Sequence, residues 1–376
     1  MKIICLTRSP LDFFGGISIF CLSLYKEFEL EVKCFSYDIS NSFKCETHRK
    51  ISGIEEIVFP SELNYGTISI SFGYLKKVIS AINEYDVIHT QHPDPFSAIA
   101  VIIAKLKKPS IKIITTWHAE VYKSYLLFAP FLLIIDLCLF SLSSKLVYFT
   151  PFHIKSSLLA KIPLFRKKII QIPNTLDTKF IQKYKSRDCK EININQKEFI
   201  NIISVGRLVS YKGYEYAIEA LSKLNNRFKY TIVGKGPLLN KLKTLIYKHK
   251  LESRVTLLRD ISNEQKYKLL DNSDIFLFPS ISTSEAYGLV QIEAMCFDLP
   301  IINTQLNNGV NFLVPPEDAI TCRPKSSIQI KNAILEISTN NKLYSELCNK
   351  SKNNLNRFSI DEMINKYKEL MINCDN

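Results

Sequence analysis

The chain has 376 residues, of which 46% are hydrophobic and 23% charged, and its net charge is +13. That length allows two ordinary domains, and the composition excludes a disordered or fibrous protein. The positive charge predicts an anionic partner: an acidic ligand, a membrane surface or a nucleic acid. The ten cysteines include no C-x-x-C pair, and no signal peptide opens the chain. We therefore expect reduced thiols in a cytoplasmic protein.

The N-terminal half alternates short apolar runs with stretches of helical periodicity. Strands are predicted at 2–6, 32–36, 86–90, 111–117 and 145–150, and helices at 17–25, 72–83, 96–106 and 126–142. Such alternation predicts a parallel sheet covered by helices on both faces.

Glycines and histidines stand where these strands end. Gly15 and Gly16 separate the first strand from its helix, where backbone N–H groups can approach a phosphate. A glycine at a turn, however, needs no ligand. His92 and His118 each follow a later strand. A lone histidine is usually a surface or core residue, but ligands bind at the carboxyl ends of parallel strands.

The segment 125–142 is strongly apolar. A membrane-spanning helix needs about 20 apolar residues, and Pro130 and Asp136 interrupt this run. We predict a buried helix, with a shallow contact with a bilayer as the alternative.

Residues 179–198 are polar and poorly periodic, which predicts a linker with the domain boundary near 180–197. A second α/β unit begins at 199–205 and leads into Arg207 and Lys212. A planar guanidinium and a mobile ammonium together suit a diphosphate. The alternative is a pair of solvated surface cations, which are common in so basic a chain.

A strand at 274–278, a polar loop and a helix at 289–295 follow. Gly288 would let an anion approach the backbone, and a helix N-terminus suits phosphate. Glu285 in the loop and Glu293 in the helix are unsuited to phosphate, so we expect sugar or ribose hydroxyls as their partners. The residues alone equally allow that Glu285 caps the helix and Glu293 faces solvent.

The sequence Ser284-Glu285-Ala-Tyr-Gly288-Leu-Val-Gln-Ile-Glu293-Ala-Met resembles the signature of the family-4 retaining glycosyltransferases, two glutamates with seven residues between them. Gly206-Arg207-Leu-Val-Ser-Tyr-Lys212-Gly213 resembles the same family's G-R-L-x-x-x-K-G. The resemblance implies the α/β GT-B fold, with two Rossmann-like doubly wound domains and a cleft between them. We place these domains at 1–180 and 198–355, and we expect a C-terminal helix at 356–376 to pack on the N-terminal domain.

The resemblance also implies a role for each motif residue. Catalysis would fall to Glu285 and His118, and ribose binding to Glu293. The donor diphosphate would be bound by Arg207, Lys212, Gly16 and the N–H groups of Leu289 and Val290. Gly15, Gly288 and His92 would be further cleft residues. Asp298 stands where the family usually has a glycine at a helix end. Aspartate tolerates the left-handed conformation needed there.

The implied reaction moves a hexosyl unit, with retention, from GDP-mannose or a UDP-hexose to a saccharide acceptor. We expect a lipid-linked acceptor in the assembly of surface polysaccharide such as O-antigen, capsule or lipopolysaccharide. No cofactor is expected, and no metal, because the chain contains no D-x-D triplet. A peripheral contact with an anionic membrane, from the cytoplasmic side, fits the net charge. The alternatives are a GT-B sugar-nucleotide epimerase and a non-catalytic sugar-nucleotide-binding module. A nucleic-acid partner is not expected, because no aromatic and basic recognition motif occurs.

Overall fold

The structure is a computed structural model that describes residues 1–13, 16–38, 42–65, 68–118, 129–186 and 192–373. Gly15, the start of the apolar segment at 125–128 and the linker residues 187–191 lie outside these ranges. The chain forms two compact units. Unit 1 comprises Met1–Asn174 and Ile360–Asn376, and unit 2 comprises Thr175–Ser359.

The described strands are β1 Lys2–Thr7, β2 Glu31–Tyr37, β3 Thr47–Ile51, β4 Ile54–Phe59, β5 Leu63–Tyr65, β6 Ile68–Ile70, β7 Val87–His92, β8 Lys112–Trp117, β9 Lys145–Tyr148, β10 Ile169–Gln171, β11 Ile200–Val205, β12 Phe228–Val233, β13 Val255–Leu258, β14 Ile275–Leu277, β15 Ile301–Thr304 and β16 Ile320–Cys322. The described helices are α1 Gly16–Tyr25, α2 Phe72–Ala81, α3 Pro95–Lys107, α4 Ala129–Leu142, α5 Pro151–Ser156, α6 Pro163–Arg166, α7 Thr178–Gln182, α8 Tyr214–Ser222, α9 Leu239–Lys248, α10 Asn263–Asp271, α11 Val290–Cys296, α12 Gly309–Leu313, α13 Ser327–Thr339, α14 Asn341–Leu355 and α15 Ile360–Ile372.

In unit 1, the described strands form an eight-stranded sheet in the order β10-β9-β8-β7-β1-β2-β4-β3. The central strands are buried on both faces, as parallel strands covered by helices must be. The antiparallel pair β3 and β4 at one edge was not predicted. β3 reads Thr-His-Arg-Lys-Ile and lacks an apolar run. Ser52 and Gly53 close this hairpin with φ of 50° and 89°.

The C-terminal helix α15 belongs to unit 1. The apolar side chains of this helix lie at helical spacing and are buried: Ile360, Met363, Ile364, Tyr367, Leu370 and Met371. Tyr367, at the centre of the helix, is fully buried. The Tyr367 hydroxyl lies 3.0 Å from Thr116 Oγ1 on β8. Tyr367 also packs against Phe20 of α1, with 5.7 Å between ring centroids. The chain thus returns to the first unit to complete its core.

Helix α4 lies at the predicted place, but it is buried on one face alone. Leu132, Ile135, Leu139 and Phe140 point into the core, whereas Phe131 and Ile134 are each 59% exposed. The prediction of a buried helix therefore holds for one face of α4 and not for the other. Among the described residues, no helix combines the length and the apolar character needed to cross a bilayer.

In unit 2, the described strands form a parallel sheet in the order β13-β12-β11-β14-β15-β16. The chain starts at the middle, moves to one edge and then returns to fill the other side. The strand order therefore reverses between β11 and β14, and the carboxyl ends of strands at such a reversal are where ligands bind in open α/β sheets. Asp298, after α11, has φ of 54°, so the predicted left-handed conformation is confirmed.

Candidate functional site

Two loops leave the carboxyl ends of β11 and β14, at the reversal of strand order in unit 2. The Ile281 backbone N–H donates to the Tyr211 carbonyl across 2.7 Å and joins the loops. Gly213 has φ of 68°, and a Cβ there would lie 2.1 Å from the Pro279 carbonyl oxygen. No other residue permits so close an approach of the two backbones. This packing fixes where the Lys212 side chain begins.

Lys212 and Glu285, from these two loops, form an ion pair of 2.6 Å. Each residue is only 8% exposed. The ammonium also lies 4.8 Å from the centroid of the Phe278 ring, and Ser280 Oγ donates to Glu285 across 3.2 Å. Lys212 is therefore not a solvated surface cation. Glu285 does not cap α11, whose N-terminal cap position is Leu289.

Arg207 differs from Lys212 in being exposed. Its guanidinium has no ion-pair partner among the described residues. Burial raises the pKa of the Tyr211 hydroxyl, the Glu285 charge raises it further, and the Arg207 charge opposes both. Arg207 and Glu285 therefore both lie near enough to Tyr211 to influence its hydroxyl. Of the two predicted cations, Lys212 is thus already neutralised by Glu285, whereas Arg207 is free to bind an anion from solvent.

Gly288 has a structural role of its own. Its φ is 83°, and a Cβ would lie 3.0 Å from the Phe278 ring. Leu289 and Val290 follow at the start of α11, where no side chain caps the helix. The predicted contacts of these three residues with phosphate remain proposals.

Glu293 forms a second ion pair, 2.7 Å long, with Lys266 of α10. Glu293 is 8% exposed, so it does not lie on a solvated helix face. Its Oε1 accepts the lysine bond, whereas Oε2 is buried and has no hydrogen-bond partner among the described residues. Sequence reasoning missed Lys266, because nothing in its local sequence distinguishes it from other surface lysines.

In unit 1, His118 directly follows β8. Its imidazole packs between the rings of Phe20 and Phe149, at 5.3 and 4.9 Å between centroids. Its Nε2 lies 2.9 Å from Gln91 Oε1. Burial, followed by the neighbouring histidines, holds the pKa of His118 well below its usual value. The ring is therefore neutral at neutral pH. Phe20 is on α1, which begins at the predicted Gly16, and this ring contact joins α1 to His118.

A buried polar network extends behind His118. Gln91 Nε2 lies 3.1 Å from His89 Nε2, which in turn lies 2.7 Å from Thr116 Oγ1. The Tyr25 hydroxyl bonds to the other ring nitrogen of His89. Burial lowers the pKa of His89 to about 4, so this network is also uncharged at neutral pH. None of its members was among the predicted site residues.

His92 is not placed as expected. It is 1% exposed and stacks on Trp117, with 4.1 Å between ring centroids. Its Nε2 lies 3.3 Å from Asp136 of α4. We expected a cleft residue, and the structure corrects this: His92 is a core residue that joins β7, β8 and α4.

No metal site is evident among the described residues, where no three His, Cys, Asp or Glu side chains form a ligating group. The expectation that the protein needs no metal or cofactor stays a prediction.

The sequence matches two family descriptions in succession. Residues 14–180 match "Glycosyltransferase Family 4", and residues 185–354 match "Glycosyl transferases group 1". Amylovoran biosynthesis glycosyltransferase AmsK of Erwinia amylovora is 34% identical over 143 residues, which are 36% of this chain and 35% of AmsK. O-antigen chain mannosyltransferase C of Escherichia coli is 24% identical over 305 residues, 79% of this chain and 77% of that protein. The chain thus spans about a third of AmsK, but most of the mannosyltransferase.

The fold is similar to that of Anabaena Alr3699/HepE, solved in complex with UDP. The TM-score is 0.80 at 18% identity, over 99% of this chain and 100% of that one. The same protein was also solved with UDP-glucose. Taken together, the two family matches cover most of the sequence in the order of the two units, and the chain belongs to the family-4 glycosyltransferases of GT-B fold.

Proposed function

We propose that the protein is a retaining glycosyltransferase that moves a hexosyl unit from a nucleotide-sugar to a saccharide acceptor. The observation that carries the proposal is the buried Lys212–Glu285 pair at the reversal of strand order in unit 2. In a nucleotide-sugar the diphosphate is bonded directly to the sugar, so a cation for the diphosphate and a carboxylate for the sugar hydroxyls must lie close together. Lys212 and Glu285 provide these two groups side by side.

The pair also suggests how the donor is received. Without a ligand, Lys212 and Glu285 neutralise each other. A donor diphosphate carries more negative charge than one carboxylate, so it would attract the Lys212 ammonium away from Glu285. The exposed Arg207 would bind the same diphosphate. Glu285 is then released to accept hydrogen bonds from sugar hydroxyls and to stabilise positive charge near the anomeric carbon. Negative charge grows on the diphosphate as the glycosidic bond breaks, so the two cations act most strongly in the transition state.

Glu293 is proposed to bind the ribose. One of its oxygens is held by Lys266, and the other is buried without a partner. A buried carboxylate oxygen without a partner is costly, and a ribose hydroxyl would remove that cost. Retention is proposed to proceed by same-face attack of the acceptor, without a covalent nucleophile on the protein.

His118 is proposed to contact the donor sugar. As a neutral imidazole it can both donate and accept a hydrogen bond. Its orientation is set by Gln91 and by the rings of Phe20 and Phe149.

The relatives support proposals for the identity of the donor and of the acceptor. HepE with UDP-glucose supports a UDP-hexose, and the O-antigen mannosyltransferase supports GDP-mannose. The named relatives concern amylovoran and O-antigen, which supports a saccharide acceptor in surface polysaccharide assembly. A lipid-linked form of that acceptor is our proposal.

A panel of UDP- and GDP-hexoses, each incubated with the protein, tests the function. We expect slow release of nucleoside diphosphate from one donor, and none from the Glu285→Gln variant. Conversion of a donor to its isomer without nucleotide release would instead identify an epimerase. Binding without either reaction would identify a non-catalytic module. NMR of the first sugar product would show whether the anomeric configuration is retained.

A further inference from the structure

The Tyr214 side chain of unit 2 carries a buried hydroxyl that no described residue hydrogen-bonds. Tyr214 is the first residue of α8 and is 2% exposed. A buried tyrosine usually places its hydroxyl on a partner, as Tyr230 does at 2.8 Å from Ser204 Oγ. A hydroxyl that leaves water without gaining a partner is unfavourable. The Tyr214 hydroxyl therefore indicates a partner that it gains in another state of the protein.

The hydroxyl lies beside Lys212, at the carboxyl end of β11. Gly206 directly follows this strand, and its backbone N–H donates to the Val233 carbonyl across 2.9 Å. A Cβ at Gly206 would lie 2.9 Å from the Tyr214 hydroxyl and 3.1 Å from Lys212 Nζ. The hydroxyl and the ammonium therefore face the same side of this glycine, and the space that its missing side chain leaves adjoins both.

In the ligand-free protein, Lys212 is bonded to a different group. Its ammonium lies 2.6 Å from the Glu285 carboxylate, whereas the nearby Tyr214 hydroxyl receives no hydrogen bond. An ammonium has three N–H donors, so Lys212 can bind an anion and still donate to a hydroxyl oxygen. Burial, followed by Tyr230 and Glu285, raises the pKa of Tyr214 well above its usual value. The hydroxyl is therefore neutral at neutral pH, with an oxygen that can accept.

We propose that Tyr214 is a positioning residue for Lys212, and that its hydroxyl accepts a hydrogen bond from the ammonium when a nucleoside diphosphate replaces Glu285 as the partner of Lys212. This inference rests on the proposed function, in which Lys212 binds the donor diphosphate. The hydroxyl would hold the ammonium at the end of β11, next to Arg207 in the chain. A group that is unpartnered in the free state and paired in the bound state shifts the equilibrium toward the bound state.

Two other partners fit the geometry less well. The Tyr214 hydroxyl is buried, so a diphosphate that arrives from solvent meets Lys212 and Arg207 before it. Glu285 could accept from the hydroxyl, but the hydroxyl would then compete with the sugar for that carboxylate. Lys212 is the remaining group, since its ammonium already lies against the same side of Gly206.

Tyr214→Phe removes the hydroxyl and keeps the ring. Calorimetric titration with UDP and with GDP measures affinity, and urea unfolding without nucleotide measures stability. We expect affinity for the nucleotide that the parent binds to fall about tenfold, because a hydrogen bond to a charged group is lost. The urea midpoint should stay the same or rise, because the removed group has no partner in the free protein.

Tyr230→Phe is the matched control, because it removes a buried hydroxyl that does have a partner, Ser204. This variant should lower the urea midpoint and leave nucleotide affinity unchanged. A lower midpoint in Tyr214→Phe would show that its hydroxyl is already paired in the free protein, for example with a bound water, and would overturn the proposal. Unchanged affinity in Tyr214→Phe would overturn it as well.

Double variants identify the partner of the hydroxyl. Tyr214→Phe should have no further effect on affinity when Lys212 is already Met, but it should still cost about tenfold when Glu285 is Gln. The reverse pattern would assign the hydroxyl to Glu285 and overturn the proposal. If Lys212→Met alone leaves affinity unchanged, the proposed function itself fails at Lys212. If Lys212→Met weakens binding and Tyr214→Phe does not, only the present inference fails.

A spectroscopic measurement follows the hydroxyl directly. In protein labelled with ¹³C at the ζ carbon of tyrosine, the Tyr214 signal is the one that Tyr214→Phe lacks. Saturation with UDP or GDP should shift this signal in the parent and in Glu285→Gln, but not in Lys212→Met. The Tyr230 signal should stay in place. A Tyr214 signal that does not move in the saturated parent would contradict the proposal.

Discussion

The candidate residues of the two units are held in opposite electrostatic states. In unit 2 the buried candidates are charged and paired, Glu285 with Lys212 and Glu293 with Lys266. In unit 1 His118 and His89 are neutral, because burial depresses their pKa values. The cation of an ion pair can bind an incoming anion in place of its carboxylate partner, whereas a neutral hydrogen-bonded network has no charge to offer an anion. We therefore expect the cations of unit 2 to bind the diphosphate and His118 of unit 1 to orient the donor sugar.

Removal of the Glu285 charge should have the largest effect on activity. Glu285→Gln should lower transfer by about 100- to 1000-fold, the size of effect seen when one group that stabilises the transition state is lost. Turnover with the donor found by the panel is the measurement. Glu215→Gln is the matched control, because Glu215 pairs with Lys241 on the surface of the same unit. A loss below tenfold in the Glu285 variant would remove it from the chemistry.

Removal of the Lys212 charge should mainly affect stability. Lys212→Met leaves Glu285 buried without its cation and should lower the free energy of unfolding by about 3 kcal/mol. The double variant Lys212→Met with Glu285→Gln should recover most of that stability but none of the activity. Urea unfolding measures the first effect. If the single and double variants unfold at the same urea concentration, the unpaired Glu285 charge is not the cause of the lost stability.

The neutral state of unit 1 predicts its response to acid. Unfolded histidine gains a proton near its ordinary pKa of about 6.5, whereas His89 in the fold gains one only near 4. The unfolded state therefore binds more protons in this window, and stability falls as pH falls from about 6.5 to 4. Between pH 7 and 5 the loss from His89 should be about 2 kcal/mol. His118 acts in the same direction.

Urea unfolding as a function of pH measures this loss. His89→Gln should flatten the dependence, and the exposed His48→Gln should not. An unchanged slope in the His89 variant would show that other groups govern acid sensitivity.

The smallest effect is expected at Lys266. Lys266→Met frees Glu293 to rotate and should raise the donor KM about five- to thirtyfold while kcat changes little, because ribose binding is the same in ground and transition states. The 2′-deoxy and 3′-deoxy forms of the nucleoside diphosphate sharpen the test. If Lys266 orients Glu293 toward the ribose, the variant should lose most of the discrimination against one of these analogues. A variant that keeps full discrimination would show that Lys266 has only a structural role.

Sequence reasoning located the motifs because their signals are local. The two loops and the periodicity of α15 follow from neighbouring residues, whereas the conformation of Asp298 was expected from the family's usual glycine at that position. The partners of these residues were not predictable, because burial pairs residues that are distant in sequence. Lys266 and Gln91 carry no local signal, and β3 of the β3–β4 hairpin lacks the apolar run by which a strand is predicted. His92 was misplaced for the same reason: Trp117 and Asp136, which enclose it, lie on other elements.

The affinity for nucleoside diphosphate tests most directly whether Lys212 binds the diphosphate while Glu285 acts on the sugar. Calorimetric titration of the parent, Lys212→Met and Glu285→Gln is the measurement. Lys212→Met should weaken binding by at least about tenfold, since a buried charge-assisted contact is lost. Glu285→Gln should bind as tightly as the parent or more tightly, because Lys212 no longer has an internal partner. Equal weakening in both variants would contradict the account.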